Sequence, residues 1–136
     1  MARILIIDDD PRLRQFVRVA LQNDGHLVNE ADDGVVGLRA FRNHPADLVL
    51  CDTFMPNKDG LETMRELLAL SPTVAVIAMC GGSYRGLIDP LPMALLLGAR
   101  AVLRKPFSID ELRLAIFGAL DANIRLEGSR IEAGSI

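Results

Sequence analysis

Three apolar runs in this chain stop at a charged side chain. Ile4 to Ile7 runs into Asp8, Asp9 and Asp10, Leu48 to Cys51 runs into Asp52, and Ala101 to Arg104 runs into Lys105 and Pro106. Short apolar runs of this kind read as strands buried on both faces of a parallel sheet. The carboxyl edge of such a sheet is where ligands bind in open α/β folds. If the first and third strands lie side by side, Asp8, Asp9 and Asp52 enter one pocket. Two like charges ~4 Å apart repel by about 4 kcal/mol at an effective dielectric of ~20, so the pocket calls for a cation. Lys105 is one candidate and a divalent metal is another. Carboxylates with open water positions suit Mg2+, which takes one or two protein carboxylates together with phosphate oxygens. A carboxylate beside such a metal and a lysine is placed to attack phosphorus and form an acyl phosphate. Phosphoryl transfer asks mainly for positioning and charge neutralisation, and three Asp plus one Lys supply both.

The elements that would position these groups are legible in order. Asp10 is a natural helix cap with Pro11 at the first helical position, and Leu13, Phe16, Val17, Ala20 and Leu21 follow at helical spacing. The third acid thus has a structural role that Asp8 and Asp9 lack. Gly25 closes that helix, HLVNEA forms a short second strand, and a helix carrying Val35, Leu38 and Phe41 runs to Pro45. After Asp52, the loop TFMPNKDG leads to Asp59 and Glu62, spaced as a capping box for a helix with Leu61, Met64, Leu67 and Leu68 on one face. VAVIAMC is a fourth buried strand, after which Gly81 and Gly82 allow close approach of backbone to a ligand. SYRGLIDP reads as loop, a short and nearly all-apolar helix starts at Pro92, and AVLR is the fifth strand. Ser108 and Glu111 cap a last helix bearing Leu112, Ala115, Ile116, Ala119 and Leu120. Five strands alternating with helices imply a doubly wound α/β fold with a parallel sheet covered on both faces.

Composition narrows the function. A chain of 136 residues makes one domain, and a net charge of −3 offers no basic face for nucleic acid, so no direct nucleic-acid binding is expected. Cys51 and Cys80 lack the spacing of a zinc site and read as core residues. Asp52 is expected to face the site together with Cys80, with Cys51 turned the other way by strand alternation, so no disulfide is expected. No signal peptide and no bilayer-length apolar stretch is present, which reads as a cytoplasmic protein with no membrane partner.

IDDD at the end of the first strand, DLVLCDTFMPNKDG around Asp52, and LRKPFSIDEL around Lys105 together resemble the receiver domain of bacterial two-component response regulators. The resemblance covers residues 2 to 121. It implies the CheY-like, flavodoxin-like fold with strand order 2-1-3-4-5 and five helices, and a receiver domain over 1–121. The tail over 122–136 shows no clear helical or strand period and is expected to be poorly ordered. By the same resemblance, Asp52 is the phosphoacceptor, Asp8 and Asp9 bind Mg2+ with Asp9 direct, and the Phe54 backbone carbonyl and Asp52 complete the protein ligands. Lys105 contacts the phosphate as a point charge, and the Lys105–Pro106 bond is cis. The implied partners are a sensor histidine kinase or phosphotransfer protein and a downstream protein target. Such a chain is no enzyme in the usual sense, since it assists only its own phosphorylation and dephosphorylation.

Two positions depart from the family pattern. Cys80 stands where relatives carry the switch Ser or Thr, and a thiol is a weak donor. Val102 stands where relatives carry the aromatic residue that moves on activation. A phosphorylation-independent, receiver-like interaction module is therefore the second expectation. A flavodoxin-like cofactor binder is disfavoured because no phosphate-cradling loop follows the first strand. The apolar fourth helix, with Leu91, Met93, Leu95, Leu96 and Leu97, is expected either to self-associate or dock a partner, giving a homodimer in the first case, or to be buried against a neighbouring loop.

Overall fold

The computed structural model describes residues 1–55, 58–81 and 89–121. Strands β1 (Arg3–Ile7), β2 (Leu27–Ala31), β3 (Leu48–Asp52), β4 (Ala75–Cys80) and β5 (Ala101–Arg104) alternate with helices α1 (Pro11–Asn23), α2 (Gly34–Asn43), α3 (Gly60–Leu70) and α4 (Pro90–Leu97). A fifth helix, α5, occupies 109–121 of the described residues. All strand pairs are parallel, and the sheet order is β2-β1-β3-β4-β5, as the resemblance implies. Gly82, residues 83–88 of the expected loop and the tail 122–136 lie outside the described residues.

Strand alternation divides the core in two. Ile4, Ile6, Leu48, Leu50, Ile77 and Met79 face α1 and α5, where Val17, Leu21, Leu112 and Ile116 meet them. Leu5, Ile7, Val49, Cys51, Val76 and Ala78 face α2, α3 and α4 and pack on Leu38, Phe41, Met64, Leu67, Leu91 and Ala94. β3 and β4 are buried along their whole length, which is why they read as unbroken apolar runs. β2, at the sheet edge, alternates exposed and half-buried positions.

The helix ends follow their caps. Asp10 accepts a bond of 2.9 Å from the Arg12 amide ahead of Pro11, and Gly25 leaves α1 at φ 89°, a conformation glycine adopts without steric cost. Ser108 and Glu111 form the expected reciprocal box, with Glu111 N–H donating to Ser108 Oγ at 3.0 Å and Ser108 N–H to Glu111 Oε1 at 3.4 Å. At α3 Asp59 caps the Leu61 amide at 3.1 Å, while Glu62 faces Lys58 at 3.9 Å. α4 begins two residues earlier than expected, because Asp89 caps the Leu91 amide and Pro90 takes the first helical position. Gly98, at φ 118°, ends it.

One expectation is overturned. Asp52 stands in register with Met79, so Cys80 has the parity of Cys51 rather than of Asp52, and both thiols belong to the face covered by α2, α3 and α4. Neither forms a disulfide, as expected. Among the described residues, no helix is long and apolar enough to cross a membrane.

Candidate functional site

β1 and β3 are hydrogen-bonded neighbours, with Ile7 opposite Cys51, and their next residues are Asp8 and Asp52. One carboxylate oxygen from each of Asp8, Asp9 and Asp52 lies within 4.8 Å of the others. Asp8 is 0% and Asp52 4% exposed, whereas Asp9 faces solvent. Lys105, delivered by the end of β5, places its Nζ 2.7 Å from Asp8 Oδ2 and 3.4 Å from Asp52 Oδ1. The Lys105 amide donates to the Cys80 carbonyl at 2.7 Å, which ties the lysine to the tip of β4. The Lys105–Pro106 peptide is cis, as the resemblance implies. The structure thus brings Asp8, Asp9, Asp52 and Lys105 into one place.

The backbone around these groups is tightly held. The Asp8 amide donates to the Ala31 carbonyl at 3.1 Å, its Oδ1 accepts from the Asp10 amide at 2.8 Å, and its carbonyl accepts from Arg14 Nη1 at 2.7 Å. Gly60, the first residue of α3, abuts the phosphoacceptor candidate so closely that a Cβ there would stand 1.8 Å from the Asp52 carbonyl oxygen. At Gly81 a Cβ would meet nothing within 4 Å among the described residues.

Burial is the main electrostatic fact of the site. It pushes the Asp52 carboxyl up to about 6, helped by the charge of Asp8 and opposed by Lys105 and by the Phe54 amide. Burial likewise raises Asp8, against the hydrogen bond from Lys105. For Lys105, burial pulls the pKa down, but Asp8 and Asp52 more than offset it and hold the ammonium above its usual value. At neutral pH Asp52 is therefore largely ionised in a pocket of three acids where, among the described residues, Lys105 is the cation paired with Asp8 and Asp52. Such a set of hard oxygen donors, short of positive charge and open on the Asp9 side, fits a divalent ion such as Mg2+. The backbone carbonyl of Phe54 follows Asp52 by two residues, and its side chain is exposed.

Cys80 is not turned onto Asp52. Its Sγ donates to the Gly81 carbonyl at 3.1 Å, and it lies in the cluster that contains Val102, whose strand position pairs with Ala78. Both departures from the family pattern therefore sit on the α4 side of the sheet. Sequence reasoning missed three residues. Arg14 holds the Asp8 carbonyl, and its signal was a cation in the first turn of the helix after the acids. Gly60 fits against Asp52, as the Asp-Gly pair before α3 could have announced. Thr53, 2% exposed and directly after Asp52, carries a buried hydroxyl oxygen with no hydrogen-bond partner among the described residues, which nothing but its position foretold.

A family model described as the response regulator receiver domain matches residues 4–117. A transcriptional regulatory protein of Klebsiella oxytoca, ZraR, is 35% identical over 94% of this chain and 28% of its own length. The KDP operon transcriptional regulatory protein KdpE of Escherichia coli is 37% identical over 88% of this chain and 52% of its own. Among solved structures, a response regulator receiver domain protein from Clostridium thermocellum superposes with a TM-score of 0.83 at 34% identity, covering 93% of this chain and 99% of that one. The chain thus spans from about a quarter to about half the length of these curated relatives.

Proposed function

The chain belongs to the response regulator receiver family of two-component systems, and on that premise we propose that Asp52 accepts a phosphoryl group from the phosphohistidine of a sensor kinase or phosphotransfer protein. An Asp52 carboxylate oxygen attacks phosphorus, the P–N bond to the histidine breaks with its electron pair going to nitrogen, and an acyl phosphate remains on Asp52. The observation that carries this reading is the Lys105 ammonium set between the buried carboxylates of Asp8 and Asp52 at 2.7 and 3.4 Å. Lys105 is placed to meet a phosphoryl oxygen as a point charge. Asp8, Asp9, Asp52 and the Phe54 carbonyl would hold Mg2+, which when bound supplies charge neutralisation for the phosphoryl oxygens. In this reading the domain works in the cytoplasm, catalyses nothing beyond its own phosphorylation and dephosphorylation, and signals to a downstream protein. α4 is the proposed contact surface, including contact with a second copy.

Electrophoresis that retards phosphoproteins tests the reading, with acetyl phosphate as donor and MgCl2 present. A retarded band is expected for the wild type and none for Asp52→Asn. No band for the wild type, under conditions that retard a control receiver, refutes the reading.

A second reading, a phosphorylation-independent interaction module, draws on the Cys80 thiol. That sulfur is committed to the Gly81 carbonyl, on the face away from Asp52. The same experiment separates the two readings.

A further inference from the structure

Asp8 follows the last residue of β1 and is still held by the sheet. Its amide donates to the Ala31 carbonyl of β2, but β1 pairing has ended at Ile7, so among the described residues no strand partner is in register for the Asp8 carbonyl. That carbonyl belongs to the peptide group joining Asp8 to Asp9, the two acids placed at the metal position. Arg14 takes it. Its Nη1 donates to the Asp8 oxygen at 2.7 Å while its Nε donates to Glu30 Oε1 at 3.1 Å. Glu30 is gripped a second time by Arg18, whose Nη1 donates to Oε2 at 3.0 Å. The fork of Arg14 is therefore oriented from both ends, by β2 through Glu30 and by the metal-side peptide through Asp8.

We propose that Arg14, held by Glu30, is a positioning residue for the divalent-ion site: by fixing the Asp8–Asp9 peptide group it sets where the Asp9 carboxylate stands and hence how tightly the ion binds. The inference rests on the reading of Asp8, Asp9 and Asp52 as metal ligands. A purely electrostatic role has the opposite sign. A guanidinium beside the acidic pocket repels a divalent ion, so removing it would tighten binding if charge alone mattered. Partners that orient metal ligands are worth roughly 10- to 100-fold in metal affinity when removed, so positioning wins if it operates.

The test is calorimetric titration of the unphosphorylated protein with MgCl2. Arg14→Ala should weaken Mg2+ binding about tenfold, Glu30→Gln about threefold, and Arg14→Lys should fall between wild type and Arg14→Ala because it keeps the charge but loses the fork. At saturating MgCl2 the rate of phosphorylation by acetyl phosphate should return close to the wild-type rate in both Arg14 variants, which general loosening of the fold would not allow. Affinity equal to or tighter than wild type in folded Arg14→Ala overturns the inference. If Arg14→Ala does not fold, unchanged affinity in Glu30→Gln overturns it. Wild-type protein that binds no Mg2+ removes the metal reading itself, whereas wild-type binding with unaffected variants removes only the role of Arg14.

Discussion

The Lys105 ammonium lies 2.7 Å from Oδ2 of Asp8, a carboxylate with no exposure to solvent, and it is the cation that makes two further acids tolerable beside it. Removing one partner of a buried pair leaves an uncompensated charge, which typically costs 3–5 kcal/mol. Lys105→Met should therefore destabilise the metal-free protein by about 3 kcal/mol at pH 7.5 in urea unfolding. The loss should shrink as pH falls through about 6, where Asp52, raised by burial and by the charge of Asp8, takes up a proton. A loss that does not change with pH would show that the lysine stabilises by packing alone.

Asp52 gives the site its pH dependence. Its pKa, pushed up to about 6 by burial and by Asp8, lies above the unfolded value, so the native state binds the proton more tightly than the unfolded chain. The corresponding stability is fully present below about pH 4 and is lost as pH rises through about 6, a change on the order of 3 kcal/mol. Asp52→Asn should remove that part of the slope and leave the metal-free protein about 3 kcal/mol more stable at pH 7.5. MgCl2 should raise the wild-type unfolding midpoint at that pH and raise the variant's less. A variant no more stable than wild type without metal would contradict the crowding of charge around Asp52.

Gly60 makes the place of Asp52 depend on a residue in another element. A Cβ at 60 would stand 1.8 Å from the Asp52 carbonyl oxygen and 2.7 Å from Thr53 Cα, and both are backbone atoms that cannot swing aside. Gly60→Ala should cost about 3 kcal/mol by overpacking. It should also slow phosphorylation by acetyl phosphate at saturating MgCl2, because the added Cβ presses directly on the Asp52 backbone. Normal stability in urea unfolding would mean that the loop yields without strain.

The apolar runs carried the fold: Leu48–Cys51 and Val76–Cys80 had to be inner strands, and the acids and lysine that end such runs had to meet at one edge. Register was the part not legible. Whether Cys80 faces Asp52 or Cys51 turns on a one-residue offset between β3 and β4, and a shift of one residue exchanges every side chain between faces. Arg14 stayed hidden for a different reason, because its target is a backbone carbonyl left unpaired where β1 ends, and no side-chain pattern marks such a group. The start of α4 was misplaced by two residues because Pro92 and Pro90 are equally good first-turn residues, and only Asp89 as cap decides between them.

On the proposed reading, Cys80 is the position at which to test how long an acyl phosphate on Asp52 would last. Its thiol donates to the Gly81 carbonyl, and a thiol is in any case a weak donor to a phosphoryl oxygen. Cys80→Thr supplies a hydroxyl at the tip of β4, and one additional hydrogen bond of about 1 kcal/mol corresponds to roughly fivefold. Because position 80 has the parity of Cys51 and not of Asp52, the half-life of phosphorylated Asp52, measured by decay of the retarded band after the donor is removed, should stay unchanged. A lengthening of roughly fivefold would show that a side chain at this position does reach the phosphoryl group.

α4 is buried on one side and bare on the other. Leu91 and Ala94 pack into the core, whereas Met93 and Leu95 are half exposed and Leu96 is 82% exposed. An exposed apolar strip of this kind is the usual mark of a protein contact. The mean molar mass from light scattering should therefore rise with protein concentration, and more steeply with beryllofluoride and MgCl2 present if phosphorylation governs the contact. Leu96→Lys should hold the mass at the monomer value while changing stability by no more than about 0.5 kcal/mol, because the side chain it replaces touches solvent. A wild-type protein that stays monomeric across the series, with and without the phosphate analogue, would remove self-association and leave α4 as a surface for a different protein.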